Sequence, residues 1–359
     1  MKRTIGSALV GLLLASPAFA QIPALKGASQ QEVARVKALI AGAEKEGSVS
    51  YIDAVIQPDT NDALVAAFRK YYGLPSSFQV HYTLSNTSGL ITRIQQEIDA
   101  SRVTTDVVDI ASPSWVFEKA KNGNILKYAS PQYAHYGKVF EMGLAKKDYF
   151  AFNGAYVFVP MWNTDKLKFN GTSLKDVIGA VPKGRMSIGD ASKSAAYLAT
   201  YTGQRDVMDK KFFQDVAAMK PNFLVRSEQI ASRLVSGEDL MAYSGMPTRA
   251  YQYNQKGAHL KFMFPKEGVV LLPQEMFILA KAPHPNAAKL WLDFVLSETG
   301  QTILAKKEAL ISGRTGFKSP LPEYSPNIDS LNLIKVDWEH ISPDKLKAIR
   351  EDWKAIFNP

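Results

Sequence analysis

Apolar and polar positions in the first third of the chain switch repeatedly between a helical period and a strand period. Ser29-Gln30-Gln31-Glu32 has the spacing of a capping box and opens a predicted helix that runs through Ala43 and ends at Gly47. A strand is predicted over 48–55, then a helix over 61–72 with Leu64, Val65, Phe68 and Tyr72 on one face. Phe78, Val80 and Tyr82 alternate with polar residues, as in a half-buried strand. A helix over 89–100 and a short apolar strand over 106–110 follow. Strands alternating with helices argue for an α/β architecture with parallel sheets.

An apolar strand over 155–160 leads into Met161-Trp162-Asn163-Thr164, and the pattern then restarts. The second unit reads as strand 186–189, helix 192–201, strand 223–226, helix 228–236 and strand 240–244. Beyond it comes Pro265-Lys266-Glu267-Gly268, an apolar run over 269–280, and Ala282-Pro283-His284-Pro285-Asn286-Ala287-Ala288-Lys289. Physically this is a buried strand, a proline-punctuated turn and a helix that Asn286 is placed to cap. Ala287, Leu290, Trp291, Phe294 and Val295 fall at i, i+3, i+4, i+7 and i+8, one stripe facing a core. The segment closes on Ser297-Glu298-Thr299-Gly300-Gln301. The two halves share no sequence repeat, and no low-complexity linker joins them.

The first twenty residues form a different kind of segment. Lys2 and Arg3 precede an apolar run over 5–15, and Ala18-Phe19-Ala20 is a small-x-small cleavage site. The run is about half of the roughly 20 residues that a membrane span needs, so it predicts a cleaved leader and a periplasmic protein. Cleavage leaves 339 residues, enough for two domains, and lowers the charge from +9 to +7. The chain has no cysteine, so disulfides, thiolate metal sites and a lipid anchor after the leader are all excluded. Lys and Arg are scattered among Asp and Glu without a basic run, so nucleic acid is not an expected partner. A basic surface mildly favours anionic solutes.

Catalytic signatures are missing from the chain. There is no G-x-S-x-G elbow, H-E-x-x-H, Walker loop or G-x-G-x-x-G, and the five histidines lie far apart without metal-ligand spacing. The sequence predicts a binder without a cofactor, not an enzyme.

The order of residues over 265–301 resembles the return crossover of periplasmic solute-binding proteins of ABC importers. The subgroup is the one that includes ferric-ion, thiamine, phosphonate and sugar-phosphate binders. The resemblance covers nearly all of the mature chain and implies a type II periplasmic binding fold, α/β, with two lobes joined by two crossover strands. It implies crossovers at 155–163 and 269–278, one lobe from 21–155 and 269–315, and the other from 156–268 and 316–359. The C-terminal helices are expected to pack back on the second lobe. A monomer that closes about its hinge on a small solute and delivers it to an inner-membrane permease is the implied function. A ligand sensor that presents its solute to a receptor is the alternative of another class.

In open α/β sheets ligands bind outside the carboxyl ends of strands, and four such ends stand out. Ser85-Asn86-Thr87-Ser88-Gly89 places hydroxyls, an amide and free N–H groups at a helix start, with Thr87 or Ser88 as its cap. Ser112 follows the strand at 106–110 and is the freer of two serines, since Ser114 is positioned to cap. Ser192, Lys193 and Ser194 suit an anion, with Asp190 beside them. Tyr243 and Ser244 precede Arg249, which could clamp a phosphate or carboxylate or form a surface ion pair. Trp162 could floor the cleft from the first crossover, and Glu267 and Glu275 flank the second.

Ferric binders of the resembling subgroup use adjacent second-lobe tyrosines with a nearby His and carboxylate. Here Ala242-Tyr243-Ser244-Gly245 offers one tyrosine, and the adjacent pair Tyr71-Tyr72 closes a first-lobe helix. Tyr251 and Tyr253 could both face inward, so ferric ion stays open beside phosphonate, sugar phosphate and carboxylate.

Overall fold

The computed structural model describes residues 22–358, and the predicted leader and its cleavage site lie outside the described residues. Among the described residues, ten strands form two five-stranded sheets. They are β1 Ser48–Asp53, β2 Gln79–Leu84, β3 Val107–Ile110, β4 Phe150–Tyr156, β5 Val159–Asn163, β6 Met186–Gly189, β7 Asn222–Leu224, β8 Met241–Gly245, β9 Leu260–Phe262 and β10 Leu272–Ile278. The first sheet has the order β2-β1-β3-β10-β4 and the second β7-β6-β8-β5-β9. In each, four strands share one direction and a single strand, β10 in the first sheet and β5 in the second, runs antiparallel to its neighbours. Two lobes and two main crossings result, as the resemblance implies.

The first crossing is not one continuous strand. β4 ends at Tyr156, β5 begins at Val159, and residues 157–158 turn the chain from one sheet to the other. The return crossing leaves β9 at Phe262 and enters the first sheet at Leu272. Further on, the Thr315 N–H donates to His135 in the first lobe at 2.8 Å, whereas Tyr324 packs on Tyr251 and Phe262 in the second. The helix Pro343–Phe357 sits on the second lobe, with Trp353 and Phe357 against Phe223.

The apolar stripe of the helix Pro285–Leu296 is fully buried, with the Trp291 ring 5.3 Å from Tyr51 and 5.0 Å from Phe68. Its predicted cap is displaced. Asn286 lies inside the first turn, and the Glu46 carboxylate receives the N–H groups of Asn286 (3.1 Å) and Ala287 (2.8 Å). Glu46 is the last residue of the helix Gln30–Glu46, which Ser29 caps at Glu32 N and which ends on Gly47 with φ +73°. That left-handed backbone is open to glycine at little cost. Glu32 itself turns to Arg35 at 2.7 Å, so only half of the predicted capping box forms.

Candidate functional site

Strand ends from both sheets meet across a narrow cleft, and the helix starts that follow them point into it. From the first lobe come Ala54 and Val55 after β1, and Asn86 and Thr87 at the start of the helix Thr87–Asp99. From the second come Ser194 and Tyr197 at the start of Ala195–Gln204, Arg226 to Glu228 at the start of Ser227–Ser236, and Met246 and Arg249 around the start of Pro247–Asn254. Tyr156 and Phe158, at the first crossing, form the floor. The cavity measures about 40 Å³, room for one or two water-sized groups.

The lobes touch directly at the rim. Ser88 Oγ accepts the Ala195 N–H at 3.1 Å across the cleft. Asn86, not Thr87 or Ser88, caps its helix, its Oδ1 accepting from Gly89 N at 2.8 Å. Ser194 caps the facing helix at Tyr197 N. The N-cap residue of the helix Ser227–Ser236, Arg226, makes no capping bond, and the first residues of that helix line the cleft.

Two guanidinium groups line the cavity and differ in how far the protein uses them. Arg249 is almost wholly buried, and its donors go to Ser227 Oγ (3.0 Å), Gln252 Oε1 (2.7 Å), Glu228 (2.9 Å) and, across the cleft, the Val55 carbonyl (3.4 Å). It bolts the site together. Arg226 is more open, and its guanidinium meets Glu228 at 3.3 Å. Burial pushes the Glu228 carboxyl up, yet Arg249, hydrogen bonding and Arg226 together hold it below its usual value. One negative and two positive side chains therefore face the cavity, at positive helix ends. The Tyr197 hydroxyl is buried and has no hydrogen-bond partner among the described residues. Its ring lies 4.3 Å from that of Phe158.

Several residues singled out in the sequence lie elsewhere. Trp162 is buried against Phe169 at 5.0 Å in the second sheet, and the cleft floor is Tyr156 and Phe158 instead. Tyr243 donates to Gln204 at 3.0 Å inside the second lobe, and Ser244 borders a separate void of about 20 Å³ there. Ser192 folds onto Asp190 at 2.5 Å, and exposed Lys193 pairs with the same carboxylate at 3.1 Å. Ser85 donates its N–H to the Asp53 carbonyl at 3.2 Å, and Gly89 serves the Asn86 cap. Ser112 N donates to Glu275 at 3.0 Å within the first lobe, and Ser114 lies inside the first turn of its helix without acting as cap. Glu267 accepts from Leu174 N at 3.0 Å and caps a turn. Tyr251 donates to the Lys306 carbonyl at 2.8 Å and Tyr253 to the Glu228 carbonyl at 3.4 Å, and neither lines the cleft.

Beneath the cleft in the first lobe lie three fully buried carboxylates. Tyr51 donates to Asp53 at 2.7 Å and approaches Asp109 at 3.3 Å, while Asp53 Oδ1 accepts from Val55 N and Ile56 N at 2.5 and 2.6 Å. Burial pushes Asp53 up to about 6 against those bonds, and pushes Asp109 and Glu275 well above their usual values. No group of three or more His, Cys, Asp or Glu side chains has metal-binding geometry among the described residues.

Two lobes of this topology around a cleft define a type II periplasmic binding fold. The family model for bacterial extracellular solute-binding proteins matches residues 104–328, and the chain belongs to that family. It is therefore an extracellular solute-binding protein. The periplasmic binding protein P5PA superposes with a TM-score of 0.72 at 19% identity, over 87% of this chain and 99% of that one. AfuA from Actinobacillus pleuropneumoniae, with exogenous fructose-6-phosphate bound, gives 0.73 at 19% identity over 87% and 99%. Iron-bound HitA from Pseudomonas aeruginosa gives 0.68 at 18% identity over 86% and 99%. A comparison with curated proteins returns no match.

Proposed function

We propose that this chain is the periplasmic receptor of an ABC importer and closes its lobes on a small organic anion, such as a phosphonate, sugar phosphate or carboxylate, for an inner-membrane permease. The observation that carries the reading is the company around the Tyr197 hydroxyl. An unpartnered buried donor, a half-free Arg226 and four helix starts line one small cavity. A compact anionic group answers all of them, because it accepts hydrogen bonds and meets positive potential together. Closure on it is the two-state element that a permease could read.

A ferric reading finds less support. The adjacent second-lobe tyrosine pair that the ferric binders of the resembling subgroup use is missing, since Tyr243 stands between Ala242 and Ser244 and donates to Gln204 inside the lobe. The test is a thermal-shift screen of the mature, metal-stripped protein against phosphonates, sugar phosphates, carboxylates, polyamines, thiamine and ferric citrate. A ligand at about 100 times its Kd adds roughly 2.7 kcal/mol, several degrees of melting temperature. A shift with organic anions supports the reading, and a shift that needs ferric ion overturns it.

A further inference from the structure

Next to the cleft, and sharing Glu228 with it, a groove of about 600 Å³ opens between the lobes. Gln57, Pro58, Asp59, Lys306 and Lys307 line it from the first lobe, and Tyr251, Gln252, Tyr253, Gln255 and Lys256 from the second. The cleft holds about 40 Å³, so the body of an organic solute whose head enters it needs room outside, and this groove adjoins the cleft at Glu228.

The charges along the groove are not balanced. Lys307 pairs with Asp59 at 3.2 Å, and Glu228 is held by Arg249 at 2.9 Å. The ammonium groups of Lys256 and Lys306 meet no carboxylate among the described residues, although both line the groove, one from each lobe. Their separation is set by closure, because the Tyr251 hydroxyl donates to the Lys306 carbonyl across the junction at 2.8 Å. An anion between them would contact both lobes and so favour the closed state.

We infer that the Lys256–Lys306 groove is a second anion subsite, and that the solute carries two separated anionic groups, a compact head in the cleft and a phosphate or carboxylate on its body. The inference rests on the anionic reading of the cleft.

Calorimetric titration with two matched pairs of probes tests it: fructose 6-phosphate against fructose 1,6-bisphosphate, and glycerol 3-phosphate against 3-phosphoglycerate. In the wild-type protein the two-anion member of a pair should bind about tenfold tighter or better, the size of one good ionic contact. Lys256→Gln with Lys306→Gln should erase that margin and leave the Kd of the one-anion member unchanged. Lys345→Gln with Lys347→Gln, which removes the same charge from the last helix, should keep the margin. Equal affinity within both pairs, or a margin that survives in the groove variant, overturns the subsite. Equal loss for both members of a pair also overturns it, since the lysines would then act only through a general field. If neither member of either pair binds, the anionic reading of the cleft fails with it.

Discussion

Gln252 of the second lobe donates its side-chain amide to the buried carboxylate of Glu308 in the first at 2.6 Å. The other Glu308 oxygen receives the Gln57 N–H at 2.7 Å, and the Gln252 carbonyl oxygen receives Arg249 at 2.7 Å. The latch thus runs from Glu228 through Arg249 and Gln252 to Glu308. Gln252→Leu removes a hydrogen bond to a charged group, a contribution of about 1.5–3 kcal/mol. Because the bond joins the lobes, the loss should appear in closure, as ligand affinity weakened roughly 10- to 100-fold. Titration with the strongest organic anion of the screen reads it, and small-angle scattering should show the liganded variant opening.

Ser88 and Asn86 are two residues apart yet should behave differently. Ser88→Ala removes only the bond to Ala195, about 0.5–1.5 kcal/mol, and should weaken affinity up to about tenfold while the unliganded melting temperature holds. Asn86→Ala removes a helix cap and should cost about 1 kcal/mol of stability with or without ligand. Melting curves with and without ligand separate the two.

Part of this was legible in the sequence because the signals are local. The stripe from Ala287 to Val295 repeats every three to four residues and is buried as its period implies. The strand-end rule led to Asn86, Thr87, Ser194 and Arg249, all of which line the cleft. The apolar pattern predicts a strand over 223–226, whereas β7 stops at Leu224 and leaves Arg226 at a helix start, where the same rule would place it in the cleft. Tyr197 looks like any helical core aromatic, and its empty hydroxyl is visible only in three dimensions. Phe158 was hidden in a continuous apolar run that in fact breaks between β4 and β5. Glu46, 240 residues from Asn286, could not be matched to it by spacing.

Asp53 gives the fold a pH dependence. Burial raises its pKa to about 6 in the folded protein, above the usual carboxyl value, so the folded state holds the proton more tightly. Its contribution to stability is complete below the unfolded pKa, near 4, and is lost as pH rises through about 6. Asp109 and Glu275 are shifted in the same direction. The unliganded protein should therefore melt higher at pH 5 than at pH 7.5. Asp53→Asn should flatten that slope, and an unchanged slope would remove Asp53 from the account.

Glu46 ties the first helix of the lobe to the start of Pro285–Leu296 through two backbone N–H groups and the Asn286 amide. Glu46→Ala should cost about 1–2 kcal/mol, the size of a lost cap, and lower the melting temperature by several degrees. Solute affinity should stay within twofold, on the order of RT ln 2, because Glu46 lies away from the cleft.

Arg226 and Arg249 both line the cavity, but Arg226 is far less engaged, meeting only Glu228, while Arg249 is tied to four partners. The most direct test of the central claim is calorimetric titration of the wild-type protein and Arg226→Gln with fructose 6-phosphate, 3-phosphoglycerate and ferric citrate. The account predicts that an organic anion binds the wild type at one site and that Arg226→Gln weakens it by about tenfold or more, with the unliganded melting temperature nearly unchanged. Binding of ferric citrate alone, with an affinity that Arg226→Gln leaves untouched, would contradict it.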